Sequence, residues 1–393
     1  MSEFINNKEK RIKELLEFSR GIINDEDGFA LVQKYKETLD NITPYDMFEM
    51  ENRQLQMRIK PQQIKDKIEK IMNVIYSSLK NYNWEKPEKG HPLYNLIQEN
   101  RELEKILHQI KLSIQKKNFS KFSENINKLP NFNNHYIRKE NILFPYLEKA
   151  LSNHLPLQVM WSLHDDIRKK WKTIVKIIDE EKQFCQVIYE QIGELFFLMY
   201  GMIFKEDLVV FPIAMESISK LDWQKMIHQE FEIGFSYIDV PVVNKAKLSE
   251  KTDEMDSLKQ IFFKVETGEL SHNQIEIIFN SLPIDITFID KNDEVRYFSS
   301  PKDRFFPRSP AIIGRKVQNC HPPESVHIVE KILNSFKSGE KEKAEFHIQM
   351  RGKFIQIRYF ALRDDDNKYM GTLEVSQDIT EIRKLDGEKR LLD

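Results

Sequence analysis

The sequence predicts a multidomain chain of α and α+β class: a small N-terminal helical domain, an up-down four-helix bundle, and a C-terminal antiparallel five-stranded sheet with helices. Three observations predict it. The segment HYIRKENILFP, from His135 to Pro145, returns 67 positions later as MIFKEDLVVFP, from Met202 to Pro212, so one helical piece of chain is used twice. Apolar residues recur at spacings of three and four through the first part of the chain, the mark of amphipathic helices. Beyond residue 272 the texture changes to short β-rich runs separated by Asp, Asn and Gly turns.

Composition fits a folded protein. A chain of 393 residues suggests roughly two to three domains. The 60 basic and 62 acidic side chains nearly cancel, which argues against nucleic acid and an anionic membrane as partners. Two cysteines, Cys185 and Cys320, give no disulfide framework. The start MSEFINNKEKRIKEL has no secretion-signal core, and the longest apolar stretch, 195–204, is far below the ~20 residues needed to span a bilayer. A cytoplasmic location is expected.

In chain order, residues 1–85 show helical periodicity in RIKELLEFSRGI, FALVQKYKETLDNI and QIKDKIEKIMNVIYSSL, with Thr43 placed to cap a helix that begins at Pro44. An interaction or dimerisation domain is expected there. Residues 88–238 divide into helices at 92–115, 120–151, 157–178 and 182–220; Leu96, Leu103, Ile106, Leu107 and Ile110 mark the buried stripe of the first. Pro145 and Pro212 must kink or end their helices. A polar, partly helical linker is expected at 239–271. In the domain at 272–393, a helix at 273–281 precedes strands at 284–289, 295–298, 345–350, 354–361 and 371–375. A helix at 325–337, with Ser325 available as its cap, divides them, and an exit helix at 379–392 follows.

The repeat also carries polar chemistry. In each copy a residue able to ligate metal, His135 or Met202, comes first, and an acid, Glu140 or Asp207, follows five positions later. His91 and His164 lie upstream. Bundles build metal sites from such inward-facing side chains. At about 100° per residue a separation of four keeps two side chains about 40° apart and five sets them about 140° apart, so Glu206 is better aimed beside Met202 than Glu140 is beside His135.

GHPLYNLIQENRELEKIL, HYIRKENILFPYLE, MWSLHDDIR and MIFKEDLVVFP resemble a hemerythrin-like, or HHE cation-binding, domain. LPIDITFIDKNDEVRYF, IIGRKVQNCHPPESV and GTLEVSQDITEIR resemble a PAS sensor domain. The whole chain resembles prokaryotic proteins that join domain of unknown function 438, a hemerythrin-like bundle and a PAS domain. The resemblance implies iron, as a diiron centre or a single ion, held by His91, His135, Glu140, His164 and Glu206 or Asp207. Three positions depart from the family pattern: Met202, Arg168 and Lys139 stand where histidines are expected. Arg cannot ligate, and a thioether is a weak ligand for iron. Two readings stay open, a metal site using some of these residues and a buried polar network of His, Glu, Asp, Arg168 and Lys139. Tyr94, one turn after His91, is either a hydrogen-bonding neighbour of the site or ordinary core.

In the third domain, Cys320 and His321 offer axial ligands for a haem in a PAS cavity, or simply shape the loop with Pro322 and Pro323. Cys-x-x-Cys-His does not occur, and the Asn-Cys-Arg-Phe-Leu run of flavin photosensors fails after Cys320. Cys185 is expected in core packing. Phosphate-binding loops, nucleophile elbows and kinase signatures are missing, so no enzyme is expected. The expected function is a cytoplasmic sensory or regulatory protein whose bundle binds iron or a diatomic gas and whose PAS domain relays or senses a second small ligand. It would act on a downstream signalling protein and form a homodimer through helical or PAS segments. The alternatives are a metal-free interaction scaffold and a diiron redox protein acting on oxygen, peroxide or nitric oxide.

Overall fold

The computed structural model describes residues 2–57, 71, 74–241, 262–302 and 304–388. They fall into two compact units, Met1–Val242 and Val243–Asp393.

The first unit opens with α1 (Ser2–Ile23), α2 (Gly28–Lys34), α3 (Lys36–Asp40) and α4 (Pro44–Gln56). Thr43 caps α4 as predicted. Its hydroxyl accepts the Asp46 N–H at 3.2 Å while the Asp46 carboxylate accepts the Thr43 N–H at 3.1 Å, a reciprocal capping box. Ile12, Leu15 and Phe18 of α1 and Met47 and Met50 of α4 are buried, each worth about 1.5–3 kcal/mol when fully removed from water. The third predicted N-terminal helix lies partly outside the described residues, with 74–80 helical. These helices pack on the bundle: Lys205 donates to Glu51 at 2.7 Å with both side chains buried, and Tyr76 lies 5.2 Å from Phe204.

The bundle begins with α5 (Pro92–Gln115), matching the predicted bounds. The second arm was expected as one helix and is segmented: α6 (Phe119–Ile126), a 3-10 turn (Leu129–Phe132), α7 (Asn133–Arg138), a π-turn (Lys139–Leu143) and α8 (Phe144–Ala150). The third arm is α9 (Leu155–Glu181). The fourth is α10 (Gln186–Lys205), a π-turn (Glu206–Val210) and α11 (Phe211–Ser217). A further helix, α12 (Lys220–Ile233), follows, which sequence periodicity did not separate.

The π-turns occupy equivalent places in the two repeats, and the prolines explain both. Pro145 and Pro212 lack an N–H, and each ring crowds the carbonyl four residues back. Widening the preceding turn relieves the clash: Phe144 N–H reaches the Lys139 carbonyl and Phe211 N–H the Glu206 carbonyl, five residues back in each case. The predicted kinks therefore take the form of π-turns. The wider turn also changes the angular reckoning at 139–143, so the 100° step no longer places Glu140 away from the axis.

In the second unit, β1 (Phe262–Val265) and β2 (Gly268–Ser271) form an antiparallel hairpin. This stretch lies in the expected linker at 239–271, of which 242–261 is outside the described residues. After α13 (His272–Ser281) come β3 (Asp285–Asp290), β4 (Val295–Phe298), α14 (Pro323–Lys337), β5 (Lys343–Met350), β6 (Lys353–Arg363) and β7 (Tyr369–Asp378). The five-stranded antiparallel sheet has the order β4-β3-β7-β6-β5. The predicted turns hold. Asp290 Oδ1 accepts the N–H groups of Asn292 and Glu294, and Asp364 Oδ1 those of Asp366 and Lys368. Ser325 does not cap α14; its hydroxyl donates to the Pro322 carbonyl at 3.0 Å.

The predicted exit helix does not form over 379–388, where only a 3-10 turn, Ile382–Lys384, follows β7. Asp378 Oδ1 accepts the Thr380 N–H at 2.9 Å, and the Thr380 hydroxyl accepts the Phe354 N–H at 2.8 Å, tying the chain to β6. Residues 389–393 lie outside the described residues. Among the described residues no helix is long and apolar enough to cross a membrane.

Candidate functional site

The polar interior of the bundle is built on α5, α7, the two π-turns, α9 and α12. His135, on α7, is fully buried, with Phe132 stacked against its ring at 4.4 Å. Its Nδ1 lies 2.8 Å from Glu99 Oε2 and its Nε2 3.0 Å from Glu206 Oε2. Two carboxylates facing both nitrogens of one ring require two N–H donors, or a proton on one carboxyl. Glu99 is further held by Arg138 and by the Ser236 N–H at 2.6 Å, while the Ser236 hydroxyl accepts the His135 N–H at 3.1 Å. Gly234, at φ +88°, ends α12 and allows the turn that brings Ser236 inside. Arg138 also reaches Glu230 at 2.8 Å, and Asn95 donates to that carboxylate at 3.2 Å.

Glu206 heads the second π-turn. Lys139 donates to its Oε1, and Asn100 donates to its Oε2 at 2.8 Å. Burial alone would push this carboxyl up, but Lys139 and His135 together more than offset it and hold it at about 2. Asp207 pairs with Arg101.

His164, on α9, forms the second centre. Its Nδ1 lies 2.8 Å from Glu140 Oε1, and Arg168 grips Glu140 with two nitrogens, at 2.9 and 3.0 Å. Burial, then the nearby Lys139, Arg168 and His135, hold His164 well below its usual range, so it is neutral. Burial raises Glu140 to about 7 against the pull of Arg168. The Tyr136 ring joins the two centres. It stacks on His164 at 4.4 Å and carries the Lys139 ammonium 4.8 Å from its centroid.

The structure thus brings together His135, Glu140, His164, Glu206 and Asp207, with Lys139 and Arg168 among them. His91 is engaged elsewhere: it caps α5, its Nδ1 accepting the Leu93 N–H at 3.1 Å, and it lies 4.5 Å from Trp223. Met202 is buried in the position equivalent to His135. Tyr94 is partly exposed on α5, and no hydrogen bond joins it to this group among the described residues. Sequence reasoning missed Glu99, Asn100, Arg101, Arg138, Glu230 and Ser236. A signal for one of them was present, because the 67-residue offset of the repeat also carries Arg101 to Arg168.

Residues 91–214 match the family model of the hemerythrin HHE cation binding domain, and residues 275–380 match that of a PAS domain. The chain therefore carries a hemerythrin HHE domain followed by a C-terminal PAS domain. Solved structures similar to it include a C-terminal domain from Streptococcus mutans (33% identity over 33% of this chain and 99% of that one, TM-score 0.31). A PAS domain from Colwellia psychrerythraea is 18% identical over 28% and 97% of the two chains, TM-score 0.23. The PAS domain of Bordetella pertussis BvgS is 16% identical over 28% and 90%, TM-score 0.24. No curated protein matches the sequence.

The domain's family implies iron, and the donor set can be tested against it. A dinuclear site needs carboxylates free to bridge and imidazoles with free lone pairs. Here both oxygens of Glu206 and of Glu140 receive protein donors, and both nitrogens of His135 face carboxylates. His164 Nε2 is the single unclaimed imidazole nitrogen of the pair. Among the described residues no three His, Cys, Asp or Glu side chains are arranged to hold a metal. A divalent ion on Glu206 would also meet the Lys139 ammonium at close range, a repulsion on the order of several kcal/mol. The residues present do not fit a diiron centre.

In the PAS domain a cavity of about 200 Å³ lies between α14 and the sheet. Ile289, Val329, Ile332 and Leu333 give it an apolar body, and His321, Tyr359, Thr372 and Glu374 add polar groups to its lining. Arg308 stands 3.9 Å from Glu374, whose carboxyl burial raises. Burial and then Arg308 and Arg315 lower His321 to about 4, keeping it neutral. Of the two predicted PAS ligands, His321 lines the cavity and Cys320 does not. Cys320 packs with Val295 and Ile312 instead. Neither cysteine is in a disulfide, and Cys185 is half-buried at the start of α10 rather than in the core.

Proposed function

We propose that the chain is a cytoplasmic sensory or regulatory protein in which the PAS cavity takes a small molecule and the helical unit carries the response to a downstream protein, without turnover. The cavity supports this reading most directly. Its volume is below the ~300–1,000 Å³ of drug-sized pockets, which favours a compact ligand with an apolar body and one polar group over haem or flavin. Glu374 and Tyr359 in its lining offer hydrogen bonds to that polar group. Because α14 forms a wall, occupancy would favour one setting of that helix, and a ligand shifts only an equilibrium whose states it binds differently. The resemblance of 1–85 to domain of unknown function 438 fits an interaction or dimerisation role for the N-terminal helices.

Native mass spectrometry of the full chain as purified tests this reading. A bound molecule smaller than haem, retained in wild type and lost in Ile332→Trp, which fills the cavity, is the expected outcome. A haem absorption band that appears on haem addition and disappears in His321→Ala would replace the small-ligand reading, and a wild type that carries and takes up nothing would remove it.

A further inference from the structure

The offset that carries His135 to Met202 carries Lys139 to Glu206, Glu140 to Asp207 and Arg101 to Arg168. The structure pairs these positions across the repeats and reciprocally. Arg101 of the first meets Asp207 of the second, Arg168 of the second meets Glu140 of the first at 2.9 Å, and Lys139 meets Glu206. This is the pattern of a two-fold interface, in which residue i contacts j and j contacts i.

We infer that Lys139, Arg101 and Arg168 stand in for the metal ions of this HHE bundle, so that protein cations neutralise its inward carboxylates and the domain folds without metal and takes no diiron centre. The geometry carries the inference. Each acid that the family pattern would assign to metal, Glu140, Glu206 and Asp207, is bound by one of these three cations. Two of the three family positions that have lost histidine hold Lys139 and Arg168, the cations that meet Glu206 and Glu140, and the third holds Met202. Lys139 and Glu206 have no exposed surface, so the pair is not a rim contact that a hydrated ion could displace from solvent. Charge is also compensated inside. Glu99 and Glu230 meet Arg138, Glu206 meets Lys139 and Glu140 meets Arg168, so each of these buried carboxyls already has a protein cation beside it.

The test uses the full chain, made without a metal-binding tag, stripped with chelator and handled without oxygen. Wild type is titrated with Fe(II) and, separately, Co(II), reading metal per chain by elemental analysis, Co(II) visible absorption and melting temperature. Well under one ion per chain, no Co(II) absorption and the same melting temperature with chelator and with metal are expected. One or two ions per chain with a raised melting temperature overturns the inference. The triple variant Lys139→His, Arg168→His, Met202→His is expected to gain Co(II) absorption that is lost again on adding His135→Ala. A folded triple variant that gains none overturns the stand-in role, and the wild-type arm decides the metal question whether or not that variant folds. The readouts are metal and melting, so they are independent of any PAS ligand.

Discussion

Lys139 and Glu206 occupy the same position in two copies of one sequence segment, each heading a π-turn, and their side chains form a fully buried ion pair across the bundle. Equivalent positions have become chemical opposites.

Breaking that pair from one side should be costly. Lys139→Met leaves Glu206 buried with less compensation and is expected to lower stability by about 3–5 kcal/mol. Adding Glu206→Gln should recover most of the loss. Urea denaturation of both single variants and the double variant measures this, and simple additivity would show that the pair is not coupled.

Acid should loosen the start of α5. Burial holds His91 at about 4, and its Nδ1 accepts the Leu93 N–H, a bond that protonation removes. Between about 6.5 and 4 the unfolded chain binds this proton and the folded chain does not, so stability is present above that window and falls as pH drops through it, by at most about 3 kcal/mol. His91→Asn keeps a capping acceptor that does not titrate there. Its acid limb should be flatter than wild type in denaturation between pH 7 and 4, and an identical slope would exclude His91 as a source.

Tyr136 offers a contrasting case. Its ring packs against His164 while its fully buried hydroxyl has no hydrogen-bond partner among the described residues. Tyr136→Phe keeps the stack and removes an unsatisfied polar group, so a neutral effect or a gain of about 1 kcal/mol is expected. A loss above about 2 kcal/mol in thermal melting would mean that the hydroxyl is held by a water or ligand.

In the PAS domain, Gly371 of β7 pairs with Asp290, and a β-carbon there would lie 2.3 Å from the Ile289 carbonyl oxygen. Gly371→Ala must therefore push β7 from β3. Faster hydrogen exchange is expected across both strands, with the bundle amides unchanged; uniform protection would contradict the close approach.

The fold was legible where periodicity and punctuation agreed. Pro92–Gln115 could be bounded from its apolar stripe, and β4 from its Asp-rich turn. Legibility failed where a local bond overrode pattern. Asp378 and Thr380 fasten a segment whose spacing looked helical, and the Phe262–Ser271 hairpin lay in a stretch polar enough to read as linker. Within the site, His135, Glu140, His164, Glu206 and Asp207 were found from the repeat. Their partners were harder to see because ion pairing depends on which helices adjoin. Glu99 reaches His135 from 36 residues upstream, and Glu230 reaches Arg138 from 92 downstream on a helix that the pattern did not separate. The helical-wheel argument against Glu140 failed for a covalent reason: Pro145 widens the turn on which it was based.

The opposed charges at one repeat position also decide which halves can associate. A half bundle ending at α8, paired with its own copy in this arrangement, would set Lys139 against Lys139. A half from α9 onward would set Glu206 against Glu206. Only a mixed pair cancels both charges, so two such fragments made as separate chains should prefer each other to themselves. Recognition between the halves is thus written in the buried ion pair, and the peptide connection from α8 to α9 raises the local concentration of partners that are already selective.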